Sequence, residues 1–316
     1  MPQFKRKPIE GLFPLMPLCV KENQDIDYDA FEQNIVWLDE KGIPGFIVFG
    51  CMGQMNAPSE EEFNEICDVC VKATKGRKIA AVISSTSTST KEAIRRATYA
   101  EASGADGSML APTYPFHLDE PWILEFYSMV DDALKGELAI IVYDCPPVFN
   151  FSLTLDHWQN HLLKLKSIKA VKESNYQLHW HQALVAGLAD KINVFPGSEL
   201  PFWTDSMLGA KGMIGQFAWI APKAMLRYYD ECKAGNQFGE WTMKFFKTLA
   251  QVDNLTRRWA QPKDMMAYEH GFMNALAELG GCKAGPPRKP SGRLPEENLR
   301  RLKEAVQPLV EIEKQL

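Results

Sequence analysis

An α/β fold of the (β/α)8 TIM-barrel type, followed by a helical C-terminal extension, is what the sequence predicts, on three observations. The chain has 316 residues, 46% apolar and 24% charged, enough for one large core. Short β-branched or apolar runs alternate with amphipathic stretches of helical spacing, the rhythm of βα units on a parallel sheet. Eight such units recur regularly, and no Gly-x-Gly-x-x-Gly loop follows the first strand, which favours a closed barrel over an open sheet.

Strands are expected at Gly11–Val20, Gly45–Gly50, Ile79–Ser84, Gly107–Ala111, Ala139–Tyr143, Ala170–Ser174, Asn193–Pro196 and Lys211–Gly215. Between the earlier ones lie helical patterns at Tyr28–Lys41, Glu60–Lys75, Lys91–Ser103 and Pro121–Leu134. The hydroxyl run Ser84–Thr90 separates a strand from a helix and is expected to end in an N-cap for the helix starting near Lys91, with ligand contact by one hydroxyl as the alternative. From about Gly239 strand signals stop. Helical patterns at Glu240–Trp259, Lys263–Leu279 and Glu296–Glu313 follow, broken by the Pro/Gly-rich Gly280–Pro295. Residues 1–235 are therefore read as a catalytic barrel and 236–316 as a helical extension packed on it.

Composition narrows the partner. With 35 basic and 40 acidic side chains the net charge is −5, and the longest basic block is Lys5-Arg6-Lys7, so no nucleic-acid footprint is present. No apolar run reaches the roughly 18–20 residues that span a bilayer, and Met1–Glu10 is polar where a secretory segment is apolar. A cytoplasmic protein acting on a small neutral or anionic metabolite is expected. Cysteines at 19, 51, 67, 70, 145, 232 and 282 make an odd, scattered set of seven, which suits reduced thiols.

In such a barrel, chemistry sits at the C-terminal ends of the strands. Lys172 lies there, inside the apolar strand Ile168-Lys169-Ala170-Val171-Lys172-Glu173-Ser174. Desolvation lowers an amine's pKa, which is what a lysine needs to attack a ketone and form a Schiff base; the alternative is a lysine snorkelling from a strand end. Tyr143 ends the preceding strand and would reach the same mouth, where a phenol can relay protons. At the end of the second strand, Gly50-Cys51-Met52-Gly53-Gln54 is a tight turn whose backbone N–H groups could cradle a carboxylate.

Read together, these segments resemble the dihydrodipicolinate synthase and N-acetylneuraminate lyase superfamily, the pyruvate-type class I aldolases, over nearly the full length. The resemblance rests on Gly50-x-x-Gly53, Ala111-Pro112-Thr113-Tyr114, Tyr143-Asp144-x-Pro146, Val171-Lys172-Glu173, Pro196-Gly197-Ser198-Glu199 and Ala284-Gly285-Pro286-Pro287-Arg288. It implies a metal-independent lyase without a cofactor, acting on a 2-oxo acid and an aldehyde, usually as a homotetramer. It makes Lys172 the Schiff-base lysine, Tyr143 the proton relay, Gly50, Cys51, Met52 and Gly53 the carboxylate cradle, and Tyr114 the tyrosine that reaches a neighbouring subunit's site. Gly197 and Gly215, at later strand ends, are assigned to substrate binding.

Departures from the family pattern bear on the substrate. Cys51 and Met52 replace the usual hydroxyl pair, which leaves backbone donors only, and Gln54 replaces an acid. Pro147-Val148-Phe149 offers no cation where lysine-forming synthases carry an arginine. The expected pocket wall is apolar, made of Met52, Met55, Phe116, Val148, Phe149, Phe217 and Trp219, and would bury an aromatic aldehyde favourably while leaving sugar hydroxyls unpaired. The Tyr143-Asp144-x-Pro146-x-x-Phe149-x-Phe151 pattern and Lys283-Ala284-Gly285-Pro286 are similar to the hydratase-aldolase branch, which cleaves benzylidenepyruvates; Glu269, and Tyr114 with Pro115, depart from it. The alternatives are a 2-keto-3-deoxy sugar acid dehydratase or aldolase, a dihydrodipicolinate-type synthase and, in another class, a non-catalytic 2-oxo acid sensor. Cys67-x-x-Cys70 lacks a second ligand pair, His157 and His161 lack the glutamate of a metalloprotease helix, and His179 and His181 are read as the start of a helix, so no metal site is assigned.

Overall fold

The computed structural model describes residues 5–113, 116–136, 138–175, 177–260 and 268–316, with backbone only at 257–260. Among the described residues eight strands follow one another: β1 (Gly11–Phe13), β2 (Gly45–Val48), β3 (Ala80–Ile83), β4 (Gly107–Leu110), β5 (Ala139–Asp144), β6 (Ile168–Glu173), β7 (Asn193–Pro196) and β8 (Gly212–Ile214). Strands β2 to β7 pair in parallel in sequence order, and β1 pairs in parallel with β8. The Met16 N–H donates to Ile47 O (2.8 Å) and the Ile47 N–H to Pro14 O (3.1 Å), joining β1's continuation to β2. On the opposite seam the Lys211 N–H donates to the Asn193 side chain (3.1 Å), so β8 meets β7 and the (β/α)8 barrel closes. The first strand is shorter than the expected Gly11–Val20, because Pro14 and Pro17 cannot donate to a ladder.

The outer layer begins with α1 (Tyr28–Glu40), α2 (Glu60–Thr74), α3 (Thr90–Ser103) and α4 (Glu120–Ala133). Asp27 caps α1, and Ser59 with Glu62 forms a capping box on α2, satisfying N–H groups that a helix start leaves open. The hydroxyl run before α3 does something other than cap. Ser89 stands at the N-cap position without a side-chain cap bond, whereas Ser108 Oγ donates to Ile83 O (2.7 Å) and meets Ser85 Oγ (2.8 Å), and Thr86 Oγ1 accepts the Ala111 N–H (3.2 Å). The run is a buried tie between the ends of β3 and β4.

Then come α5 (Pro146–Phe149), α6 (Leu155–Asn160), α7 (Leu178–Leu188), α8 (Phe202–Asp205) and α9 (Pro222–Lys233). The last three helices are α10 (Glu240–Ala260), α11 (Glu269–Leu279) and α12 (Glu296–Lys314). Helices α10 and α12 pack on each other and on α9, while α11 lies against the 3-10 turns Cys51–Gly53 and Gln216–Trp219 at the barrel mouth. Part of the expected helix Lys263–Leu279 falls outside the described residues. No described helix is long and apolar enough to cross a membrane.

Glycine gives the barrel room for two rings. A Cβ at Gly45 would fall inside the Phe13 ring and one at Gly212 inside the Phe195 ring, so these two phenylalanines fill the interior over side-chain-free positions, edge to face at 5.3 Å. Because strand side chains alternate, the register that pairs Tyr143 with Lys172 and Asp144 with Glu173 sends the first pair inward and the second outward to the helices.

The outward acids are both fully buried. Glu173 accepts the Asn175 N–H (2.8 Å) and pairs with His181 Nδ1 on α7, while His181 Nε2 meets Asp205 Oδ2 at 2.6 Å on α8. Asp144 accepts the Leu153 N–H through Oδ2 (3.0 Å), and its Oδ1 has no partner among the described residues. Burial therefore pushes its carboxyl up from 3.8 to about 7.

Two expectations follow. Gly45→Ala should lower unfolding free energy by about 1–3 kcal/mol through forced repacking of Phe13, read by denaturant titration. For Asp144, the folded carboxyl holds its proton to higher pH than the unfolded one, so the stability it contributes is full below about pH 4 and declines as pH rises to about 7. Asp144→Asn keeps an acceptor for Leu153 and removes the titration, so it should be more stable than wild type by about 2–4 kcal/mol at pH 8. That gain should vanish near pH 4; an equal difference at both pH values would contradict the assignment.

Candidate active site

Lys172 is 3% exposed at the end of β6, inside the barrel. Its Nζ lies 3.6 Å from the Tyr143 ring centroid, and its register neighbour on β7 is Phe195. Burial pulls the amine below its usual value, and only the Cys51 and Cys145 thiols oppose that by charge. The face of the phenol ring favours an ammonium, but desolvation outweighs it, because among the described residues no carboxylate pairs with Lys172. The snorkelling alternative fails, since the amine does not reach water.

Tyr143 is buried too, and its hydroxyl is held far above the usual phenol range, first by burial and then by the neighbouring Cys51 and Cys145. It is therefore a neutral phenol that can donate a proton or pass one on. Its oxygen lies 3.1 Å from Cys51 Sγ. This corrects the expectation that Cys51 supplies backbone donors only: the thiol occupies the position next to the phenol and extends the proton-bearing chain. Phe149 packs edge-on against Tyr143 at 4.9 Å and stacks on Phe151, which fixes the phenol's plane. Burial raises the Cys145 thiol to about 11, so it stays protonated.

The Gly50–Gly53 turn is bracketed by two left-handed non-glycine residues, Phe49 (φ 60°) and Gln54 (φ 53°). The Phe49 ring is buried on Phe63 at 5.1 Å, and the Gln54 amide both donates to Arg288 O and accepts the Arg288 N–H, each at 2.8 Å. Gly53 is required by contact, because a Cβ there would stand 2.6 Å from Met16 O. The Gly53 N–H closes on Gly50 O (2.9 Å) and the Gln54 N–H on Cys51 O (3.2 Å). The N–H groups of Cys51 and Met52 meet no acceptor among the described residues, so two adjacent donors are open at the turn.

Other assigned residues separate from this group. Tyr114 lies outside the described residues. Gly197 packs against Ser174, and Gly215 against Leu12, so closely that a Cβ would overlap either neighbour; both glycines allow strand ends to approach. Trp219 is a correction. Its indole N–H donates to Leu15 O (3.0 Å) and its ring stacks on Trp37 of α1 at 5.9 Å, which makes it a buried joint between barrel and helix. Phe149 and Phe217 are likewise fully buried, Met55 is nearly so, and Phe116 is 71% exposed. Of the expected apolar wall, Met52 and Val148 are the half-buried members. His157 and His161 part company, one in a capping box with Thr154 and the other on Ser128 Oγ at 2.8 Å.

Two groups escaped the sequence reading. Glu173–His181–Asp205 was legible in principle, since strand alternation turns Glu173 away from Lys172 toward the helix that carries His181. His270 on α11 was not: its Nε2 stands 2.9 Å from Cys51 O across most of the chain's length, and no spacing rule announces such a contact.

Residues 8–309 match the dihydrodipicolinate synthetase family. An uncharacterized DapA-like lyase of Pyrococcus horikoshii is 28% identical over 94% of this chain and 100% of its own length. A 4-hydroxy-tetrahydrodipicolinate synthase of Methanothermobacter thermautotrophicus is 27% identical over 72% of this chain and 81% of its own. Among solved structures, the sialic acid aldolase of Ruminococcus gnavus superposes with a TM-score of 0.83 at 21% identity, covering 97% of this chain and 98% of that one, which shows a shared fold. The chain belongs to the dihydrodipicolinate synthetase family of class I lyases.

Proposed function

We propose that the protein condenses Lys172 with pyruvate or a related 2-oxo acid and makes or breaks the carbon–carbon bond next to the resulting imine, with an apolar or aromatic aldehyde as the second partner. The observation that carries this reading is the dry amine of Lys172 against the neutral phenol of Tyr143, with two open N–H donors on the Cys51–Met52 turn.

The steps follow from the residues. The free amine attacks the ketone carbon, and Tyr143 delivers a proton to the departing oxygen, which leaves as water. With an arylidene pyruvate, water first adds across the carbon–carbon double bond, its hydroxyl going to the carbon that becomes the aldehyde and its proton to the carbon next to the imine. Tyr143, deprotonated by the first step, then takes the proton of that hydroxyl while the protonated imine accepts the electron pair of the bond that breaks at the adjacent carbon; the aldehyde leaves and an enamine remains. Protonation of the enamine carbon and hydrolysis return Lys172 and release the 2-oxo acid. The Cys51 and Met52 N–H groups hold the carboxylate, and the substrate carboxylate or a water relays the protons that pass to and from Tyr143. The aldehyde class is supported by Pro147-Val148-Phe149, which carries no cation, and by the half-buried Met52 and Val148. A homotetramer is proposed with it, on the family resemblance alone.

Incubation with pyruvate and borohydride should add a pyruvate-sized mass to wild type and none to Lys172→Ala. Tyr143→Phe should still be trapped but turn over benzylidenepyruvate about 10²–10⁴-fold more slowly, as expected for loss of a general acid–base group. Absence of the adduct on wild type would refute the imine. A trapped adduct without cleavage of any arylidene pyruvate would refute the aldehyde assignment alone.

A further inference from the structure

Near the open donors of the Cys51–Met52 turn stands a side chain contributed by the far end of the sequence. His270, in the first turn of α11, is half-buried; its Nε2 lies 2.9 Å from Cys51 O and its Nδ1 lies 2.6 Å from Ser291 Oγ. A carbonyl oxygen only accepts, so Nε2 carries the proton, and in the neutral ring Nδ1 accepts from the Ser291 hydroxyl. Burial holds the imidazole below its usual pKa, which keeps it neutral. The two contacts pin the ring at both nitrogens.

The Cys51 carbonyl and the Met52 N–H are the two ends of one peptide unit. A donor on the carbonyl polarises that unit and makes its N–H a stronger donor, as in any chain of linked hydrogen bonds. The same carbonyl also takes the Gln54 N–H at 3.2 Å, so the peptide is gripped from within the turn and from α11. Resting on the reading that this turn binds the substrate carboxylate, we infer that His270, held by Ser291, is a positioning residue for that carboxylate: it orients and polarises the Cys51–Met52 peptide and so sets how strongly a 2-oxo acid is preferred over an uncharged ketone.

The contrast between a carboxylate and its neutral ester isolates this role. Imine trapping with cyanoborohydride is followed by intact mass at increasing pyruvate and, separately, at increasing methyl pyruvate, on wild type, His270→Ala, His270→Gln and Ser291→Ala. His270→Ala should raise the pyruvate concentration for half-maximal trapping about five- to tenfold while leaving the methyl pyruvate value within about twofold, the size expected for one ordinary hydrogen bond. His270→Gln, whose amide can donate to the same carbonyl, should recover most of the loss. Ser291→Ala should show a smaller loss of the same selectivity, and it provides the reading if His270→Ala does not fold. Equal effects on both probes, or no effect on pyruvate, would overturn the inference. A wild type that traps neither probe would instead refute the imine itself.

Discussion

The register of β5 against β6 is the constraint on which the rest depends. With Tyr143 opposite Lys172 and Asp144 opposite Glu173, one pair faces the barrel interior and the other the helices. A slip of one residue would exchange them. Two carboxylates would then enter a lumen floored by Phe13 and Phe195, and an amine and a phenol would be forced against α7. The site and the buried Glu173–His181–Asp205 network are thus two faces of one pairing, and the network braces the strand that carries the reactive amine.

Placement alone would not make Lys172 a nucleophile. A nearby carboxylate would hold the ammonium, and the barrel avoids this by turning both acids outward. What faces the amine instead is a phenol ring and two thiols, and burial keeps the Tyr143 phenol and the Cys145 thiol neutral near pH 7. The attraction of an ammonium for the ring is worth about 1–2 kcal/mol, whereas desolvating an ion without a partner costs several. The balance favours the free amine, and the Tyr143–Cys51 contact keeps a proton donor beside it.

Much of this was legible in the sequence, for identifiable reasons. Strand alternation and unit spacing gave seven of the eight strands to within two residues, and the same pattern put Lys172 at an apolar strand end, where it is buried. The shortened β1 reflects prolines that the apolar pattern outweighed. Trp219 was misplaced because a sequence shows that a large ring lies near a strand end but not on which side of the barrel wall it falls; its N–H went to Leu15 O and its face to Trp37. Cys51 was underrated because residue type suggested a lost hydroxyl, while the backbone brings its sulfur to the phenol.

The contribution of α11 and the Gly285–Ser291 segment was invisible for a different reason. The Phe49–Gln54 turn holds two non-glycine residues in the left-handed region, a strain of about 1–2 kcal/mol each, against two internal bonds, Gly53 to Gly50 and Gln54 to Cys51. Further stabilisation comes from the Phe49 ring on Phe63, from the reciprocal Gln54–Arg288 pair and from His270 on Cys51 O. Arg288 is in turn fixed by a two-pronged contact to Glu62 on α2 and by Gln24 O. A barrel made only of the eight βα units would therefore hold this turn by the Phe49–Phe63 contact and its internal bonds alone, without the Gln54–Arg288 and His270 contacts. Helix α11 and the segment that follows it complete the mouth by supplying from a distance the hydrogen bonds that the local sequence cannot make.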